Sequence, residues 1–225
     1  MQTIRFTAEL LKGVALLAGT NEVRQYLNGV YIEARRHETR LVATDGKKLG
    51  LVRTRIENEI EADTSLIIPN RVLRQIQVRA KPGLLADIVI DGGNYFLRIP
   101  EHDLQYGFKP VEGKYIDYAR ALPEEMSGKA ACFDPEQLVV FSKCALALTG
   151  KKRVPRITHN GEKAALVTID GYNDFVGMIM PMPLGSKPAD ISWFKTVRLP
   201  SGGQDHVNPR NATRRGDRPA IAAAR

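Results

Sequence analysis

Leu41-Val42-Ala43-Thr44-Asp45-Gly46 returns near the end of the chain as Leu166-Val167-Thr168-Ile169-Asp170-Gly171. Each copy follows a run of alternating apolar and polar residues, and each has a helix-like segment further upstream. Phe6-Thr7-Ala8-Glu9-Leu10 opens the first of these segments and Phe133-Asp134-Pro135-Glu136-Gln137-Leu138 the second. Lys12 and Lys143 hold comparable places, and the segments run to Gly19 and Gly150, where glycine is expected to end the helix. In the second copy Asp134 is placed to cap the helix, Pro135 suits its first turn, and Gln137 can reach back in a capping box. Repetition on this scale is an architectural signal.

Between the copies the apolar spacing predicts helices over 8–18, 71–78 and 135–149. Leu10, Leu11, Val14, Leu17 and Ala18 form one apolar stripe, and Leu138, Phe141, Ala145 and Leu148 another. The middle helix follows Pro69 with Asn70 as its cap. It buries Val72, Leu73 and Ile76 and presents Arg71, Arg74 and Arg79 as a basic face. Alternation at 29–34, 40–44, 49–56, 87–90 and 95–99 predicts half-buried strands, with hairpin turns at Asp91-Gly92-Gly93-Asn94 and His159-Asn160-Gly161-Glu162. The fold class is therefore α+β, antiparallel sheets with the helices on one face. After Leu184 the pattern breaks into Gly, Pro, Ser and Arg, so a basic, mostly disordered tail is expected over 185–225.

The formal charge of +8 suggests nucleic acid until it is divided along the chain. Residues 185–225 hold eight Lys or Arg and three Asp, leaving 25 basic against 22 acidic residues before them. A body so nearly balanced must concentrate its basic residues on one surface to hold DNA. No apolar run is long enough to span a bilayer and the N-terminus lacks signal-peptide character, so no membrane is expected and the default compartment is the cytoplasm. Cys132 and Cys144 have no ligand-spaced neighbours and read as core residues. His37, His102, His159 and His206 are scattered in polar surroundings, none beside a nucleophile and an acid. Neither a metal, a cofactor nor an enzymatic activity is expected. Asp45, Asp117 and Asp170 fit turn and capping roles.

Four segments carry a resemblance: VRQYLNGV at 23–30, LVATDGKKLGL at 41–51, SLIIPNRVL at 65–73 and GKYIDYARALP at 113–123. Together they resemble the middle domain of the bacterial replicative sliding clamp, the beta subunit of DNA polymerase III. Residues 130–184, ending in MIMPMPL, look like a shortened last domain, so the resemblance implies a clamp domain over 1–123 and a shortened one over 124–184, about one and a half clamp domains in all. The resemblance implies a non-enzymatic protein that holds duplex DNA without sequence specificity. It also implies that polymerases or other factors are tethered through a short peptide docked between the two domains.

By the motif match the peptide cleft comprises Leu27, Thr44, Gly46, Lys48, Leu49, Arg120, Ala121, Met178, Ile179, Met180, Pro181 and Met182. Apolar walls with a few polar groups suit a peptide, and Met suits varied partners; the plainer reading is that these residues fill a domain interface. Arg24, Gln25 and Tyr26 match the family's DNA-contact segment, while Lys12, Arg71, Arg74, Arg79 and Lys143 join them on helix-face grounds alone. The sequence departs from the family pattern at Lys47-Lys48, at Ile116 and at Gln25, where His-Arg, Pro and an aromatic are usual. The family's closed ring has twelve inward helices and this chain offers three, so a homotetramer is the expected oligomer. In the tail, Asp190-Ile191-Ser192-Trp193-Phe194 looks like the family's ligand motif, Gln, aliphatic, Ser or Asp, Leu, Phe, with Asp for Gln. It could dock in a clamp cleft, or its aromatics could pack on the sheet. The alternative to a DNA-encircling clamp is a clamp-like adaptor or decoy that never closes a ring and modulates a host replication complex.

Overall fold

The computed structural model describes residues 1–76, 82–123 and 125–183. Eleven strands and three α-helices are present among them. The strands are β1 (Gln2–Thr7), β2 (Gly29–Arg35), β3 (Glu38–Thr44), β4 (Lys48–Thr54), β5 (Thr64–Pro69), β6 (Leu85–Asp91), β7 (Asn94–Ile99), β8 (Leu104–Phe108), β9 (Pro155–Thr158), β10 (Ala165–Ile169) and β11 (Tyr172–Ile179). The helices are α1 (Ala8–Ala15), α2 (Asn70–Leu73) and α3 (Pro135–Thr149). They build two antiparallel sheets, one of order β1-β6-β7-β8 and one of order β5-β2-β3-β4-β11-β10-β9.

The repeat explains the topology. A helix followed by a three-stranded meander occurs three times: α1 with β2-β3-β4, α2 with β6-β7-β8 and α3 with β9-β10-β11. The first two units exchange their leading strands, β1 pairing with β6 of the second unit and β5 with β2 of the first. The third unit joins the first through their last strands, with Leu49 opposite Met178, Gly50 opposite Gly177 and Val52 opposite Phe175. The two copies read from the sequence are thus neighbours in one seven-stranded sheet.

Strand alternation divides each strand of that sheet between two faces. Val30, Ile32, Ala34, Leu41, Ala43, Val52, Leu66 and Ile68 point into the main core with α1 and α3. Val42, Leu49, Ile67 and Met178 form a smaller cluster on the opposite face with Tyr115. Close approach of α1 and α3 over the β4–β11 seam depends on glycine. A Cβ on Gly177 would lie 2.6 Å from the Phe141 ring and one on Gly13 2.6 Å from Leu148, while one on Gly50 would run into Leu17.

The helix over 135–149 forms as the sequence predicts, with the Asp134 carboxylate accepting from the Glu136 N–H at 2.8 Å and Gly150 left-handed at φ 67°. Other expectations need correction. Gln137 makes no reciprocal cap, since its side-chain oxygen is buried without a partner among the described residues. The first helix stops at Ala15, and Gly19 instead donates its N–H to the carbonyls of Leu27 and Thr44. The second helix is a single turn. Asn70 begins it rather than capping it and donates its side-chain amide to the Gly19 carbonyl at 2.7 Å, tying α2 to the end of the first helical segment. Cys144 is core, its thiol pushed up to about 12 by burial, but Cys132 is exposed. Arg79 and the motif Asp190-Ile191-Ser192-Trp193-Phe194 lie outside the described residues, as does the rest of the tail.

Candidate functional site

The turn between β3 and β4 is fixed by its own side chains. Thr44 Oγ1 donates to the Lys48 carbonyl at 2.6 Å and accepts from the Gly46 N–H at 3.0 Å. Asp45 Oδ1 accepts from the N–H groups of Lys47 and Lys48, both at 2.9 Å, and its other oxygen pairs with the Lys48 ammonium. Asp45 thus fills the turn role expected of it, and Lys48, 8% exposed, is committed to this ion pair. Burial works to raise the Asp45 carboxyl, but the Lys48 ammonium and the two N–H donors outweigh it and hold the group below the usual carboxylate range. A depressed carboxylate contributes stability that is present above its unfolded value of about 4 and lost as pH falls through the folded one. Asp45→Asn should therefore cost about 1–2 kcal/mol at neutral pH, and that difference should shrink in urea melts repeated below about pH 4.

Antiparallel pairing sets Lys48 and Leu49 against Ile179 and Met178, and the Met180 N–H donates to the Lys47 carbonyl at 2.8 Å. Leu27, 1% exposed, is held beside Thr44 because both carbonyls accept the Gly19 N–H. The structure therefore gathers Leu27, Thr44, Gly46, Lys48, Leu49, Met178, Ile179 and Met180 around one turn and one seam. Six of the eight are buried; Gly46 and Met180 are exposed. Pro181 and Met182 continue into a separate cavity of about 1140 Å³ with Met126 and Cys132, where the Met182 N–H donates to the Cys132 carbonyl at 2.8 Å.

On the face of the seam opposite α1 and α3 lies an aromatic cluster in which Tyr26, expected at the DNA, joins Tyr31, Tyr115 and Tyr118, which the sequence left without a role. The Tyr115 ring stacks on Tyr31 with centroids 4.5 Å apart and meets the edge of Tyr26 at 6.4 Å. Tyr118, whose hydroxyl donates to the Glu33 carboxylate, extends the platform beside Tyr31. This segment carries Arg120 and Ala121, both exposed, with Arg120 paired only loosely with Asp117 at 3.4 Å. Tyr26 thus belongs to this cluster. Arg24 lies across the β3–β4 turn, where a Cβ on Gly46 would meet its guanidinium at 2.9 Å.

Basic residues gather on the helix side. Lys12 and Arg74 line a groove of about 330 Å³ with Leu11, Leu16 and Leu73, and burial lowers the Lys12 ammonium from its ordinary value. Arg71, Arg74 and Gln25 line an adjoining hollow of about 500 Å³ together with Lys109, which sequence reasoning missed because it lies in a loop outside any helix face. Lys143 is exposed on α3 and lines neither. Among the described residues no cluster of His, Cys, Asp and Glu could hold a metal ion, and no helix is long and apolar enough to cross a membrane.

This layering of antiparallel sheets and helices is the α+β fold of solved clamps. A DNA polymerase sliding clamp from Pseudomonas aeruginosa superposes with a TM-score of 0.61 at 17% identity, covering 81% of this chain and 67% of that one. A putative DNA polymerase III beta subunit from Eubacterium rectale gives 0.62 at 12% identity, covering 81% and 66%. Residues 4–115 match the family model of the DNA polymerase III beta subunit, central domain. The beta sliding clamp of Pseudomonas putida is 29% identical over 150 residues, 66% of this chain and 40% of that protein. The chain is a homologue of the bacterial DNA polymerase III beta sliding clamp, matching its central-domain region and covering part of a clamp, in a family that is non-enzymatic. The matched stretch spans 40% of the length of that curated relative.

Proposed function

We propose that this protein is a clamp-like tether. It contacts duplex DNA through the basic helix side and holds a polymerase or another factor by a short peptide docked at the β4–β11 seam. The observation that carries the reading is the meeting of Leu49 with Met178 beneath Tyr115, flanked by the exposed Met180 and the Gly46 turn. That is an apolar floor with a few oriented polar groups, the composition a peptide site needs. On the DNA side, Lys12, Arg71, Arg74, Gln25 and Lys109 share two adjoining hollows and supply the sequence-independent phosphate contacts of a sliding protein. Arg24 and Tyr26 join the peptide side in this reading, and Lys143 adds charge on α3. The boundaries at 123 and 184 separate the clamp domain, the shortened domain and the tail.

The test is fluorescence anisotropy with a labelled peptide Gln-Leu-Ser-Leu-Phe, run beside retention on nicked circular DNA. Micromolar peptide binding that falls at least tenfold in Met180→Glu is expected, since Met180 is exposed and its loss leaves the core intact. No binding by the intact chain, or binding indifferent to Met180→Glu, would sink the tether. Retention on the circle at high salt that is lost on linearisation marks encirclement, because topological linkage survives salt and phosphate contacts do not. Peptide binding without such retention assigns the chain to the adaptor or decoy class.

A further inference from the structure

The chain contains its own example of how one unit joins the next, and that example is used at only one of two places. The last strand of the first unit, β4, pairs antiparallel with the last strand of the third, β11. The last strand of the second unit, β8, ends its sheet with no strand beyond it among the described residues. Exposed edges invite pairing and are normally blunted by charge, proline or a covering segment. The other three edges have such protection. Thr3 of β1 exchanges two backbone hydrogen bonds with Glu59, at 2.8 and 2.9 Å, and the Arg5 N–H donates to the Asn58 side chain at 2.6 Å. On β5 the Ile67 carbonyl accepts from the Val111 N–H at 3.0 Å. β9 is only four residues long, starts at Pro155 and carries Arg156.

β8 reads Leu-Gln-Tyr-Gly-Phe, with neither charge nor proline before Lys109-Pro110. Its core-facing residues are Leu104, Tyr106 and Phe108, and Tyr106 is anchored by its hydroxyl, which donates to the Gln75 carbonyl at 3.1 Å. Residues directly opposite in an antiparallel pair share a face, so a strand can pair with its own copy only in registers that keep apolar opposite apolar. Centring the pair on Tyr106 does this. Leu104 of one copy then faces Phe108 of the other, and Gln105 faces Gly107. Gly177 opposite Gly50 shows the same use of a small residue at the internal junction.

We propose that β8 is an interface strand that pairs antiparallel with β8 of a second copy about a two-fold axis, extending the four-stranded sheet across both molecules. A self-complementary edge gives the isologous contact from which closed assemblies are built. The inference rests on the tether reading only in naming what that tether assembles with, and its test does not involve the peptide.

The test is native mass by light scattering of the full chain at about 50 µM, with far-UV circular dichroism as the check on folding. The wild type should run as an even-numbered assembly of the 25.0 kDa chain. Q105K/G107K sets lysines directly opposite one another and should halve that mass, whereas Q105K/G107E sets opposite charges together and should restore it. Position 107 has room, since a Cβ there would approach only the Phe96 ring, at 3.7 Å. A wild type of single-chain mass overturns the proposal, as does a mass that Q105K/G107K leaves unchanged. Halving without recovery in Q105K/G107E overturns the Tyr106-centred register. Failure here with peptide binding intact removes the interface and leaves the tether standing.

Discussion

Phe141→Ala is expected to lower the unfolding free energy by about 3–5 kcal/mol, read as a shift of the urea midpoint with little change of slope. Phe141 is 1% exposed, meets Phe175 edge-on at 6.5 Å, and occupies the space that Gly177 leaves by having no side chain. Truncating it removes the contact between α3 and the seam as well as burying less apolar surface. The glycine supplies a sharper form of the test. Gly177→Ala alone should cost about 1–3 kcal/mol by overpacking, because its methyl would meet the Phe141 ring at 2.6 Å. In the Phe141→Ala background the worst of these contacts is gone and the Phe175 ring, at 3.1 Å, is what remains, so the double variant should be more stable than the sum of the singles by about 1 kcal/mol. Strict additivity would mean that the ring and the glycine do not meet across the seam.

The second large effect belongs to the outer face. Tyr115→Ala should cost about 3–4 kcal/mol, because a ring 7% exposed and stacked on Tyr31 is removed from the cluster of Val42, Leu49, Ile67 and Met178. Tyr115→Phe should cost less than about 0.5 kcal/mol, since the hydroxyl reaches the Val42 carbonyl only at 3.5 Å, too long for a strong hydrogen bond. Burial raises the Tyr115 phenol above its ordinary range, so its contribution to stability is fully present below the unfolded value of about 10 and is lost as pH rises beyond it. The contrast between the two variants in thermal melts separates ring packing from hydrogen bonding. Tyr115→Ala should also weaken peptide binding beyond its effect on stability, because the segment carrying Arg120 and Ala121 is held to the sheet through this ring.

The part of the fold that was legible came from local chemistry. Asp134, Pro135 and Gly150 mark both ends of α3, and the Asp-Gly turns at 45–46 and 170–171 mark the hairpins of the first and third units. The second unit was not recognised as a third copy because its corresponding turn lacks that signature. Pro100-Glu101-His102 forms a short helix there, with Asp103 left-handed at φ 50° in place of a glycine. Its helix, expected over 71–78, is only the single turn Asn70–Leu73 and lacks the long apolar stripe of the other two. At the site, Leu27, Thr44, Gly46, Lys48, Leu49 and Met178 lie together in the fold, but nothing local in the sequence tells which of them are buried. Lys48 looks like a free cation in sequence and is neutralised by Asp45 three residues before it. The Tyr31–Tyr115 stack and the roles of Gly13, Gly50 and Gly177 depend on contacts between distant segments, which no local pattern records.

The exchange of leading strands between the first two units also governs how the chain can reach this structure. Gln2 pairs with Ile90 and Thr7 with Leu85, so beyond its bonds to Asn58 and Glu59 β1 has no strand to pair with until the second unit's first hairpin strand exists. On a ribosome adding about 5–20 residues per second, the N-terminal strand waits several seconds with its apolar residues, Ile4 and Phe6, unburied. Closing so long a loop is entropically costly before any contact repays it, which places β1 docking late and makes it slow. The interval in which the protein is most exposed to misassociation is therefore set by β1, whose partner strand lies beyond the whole of the first unit.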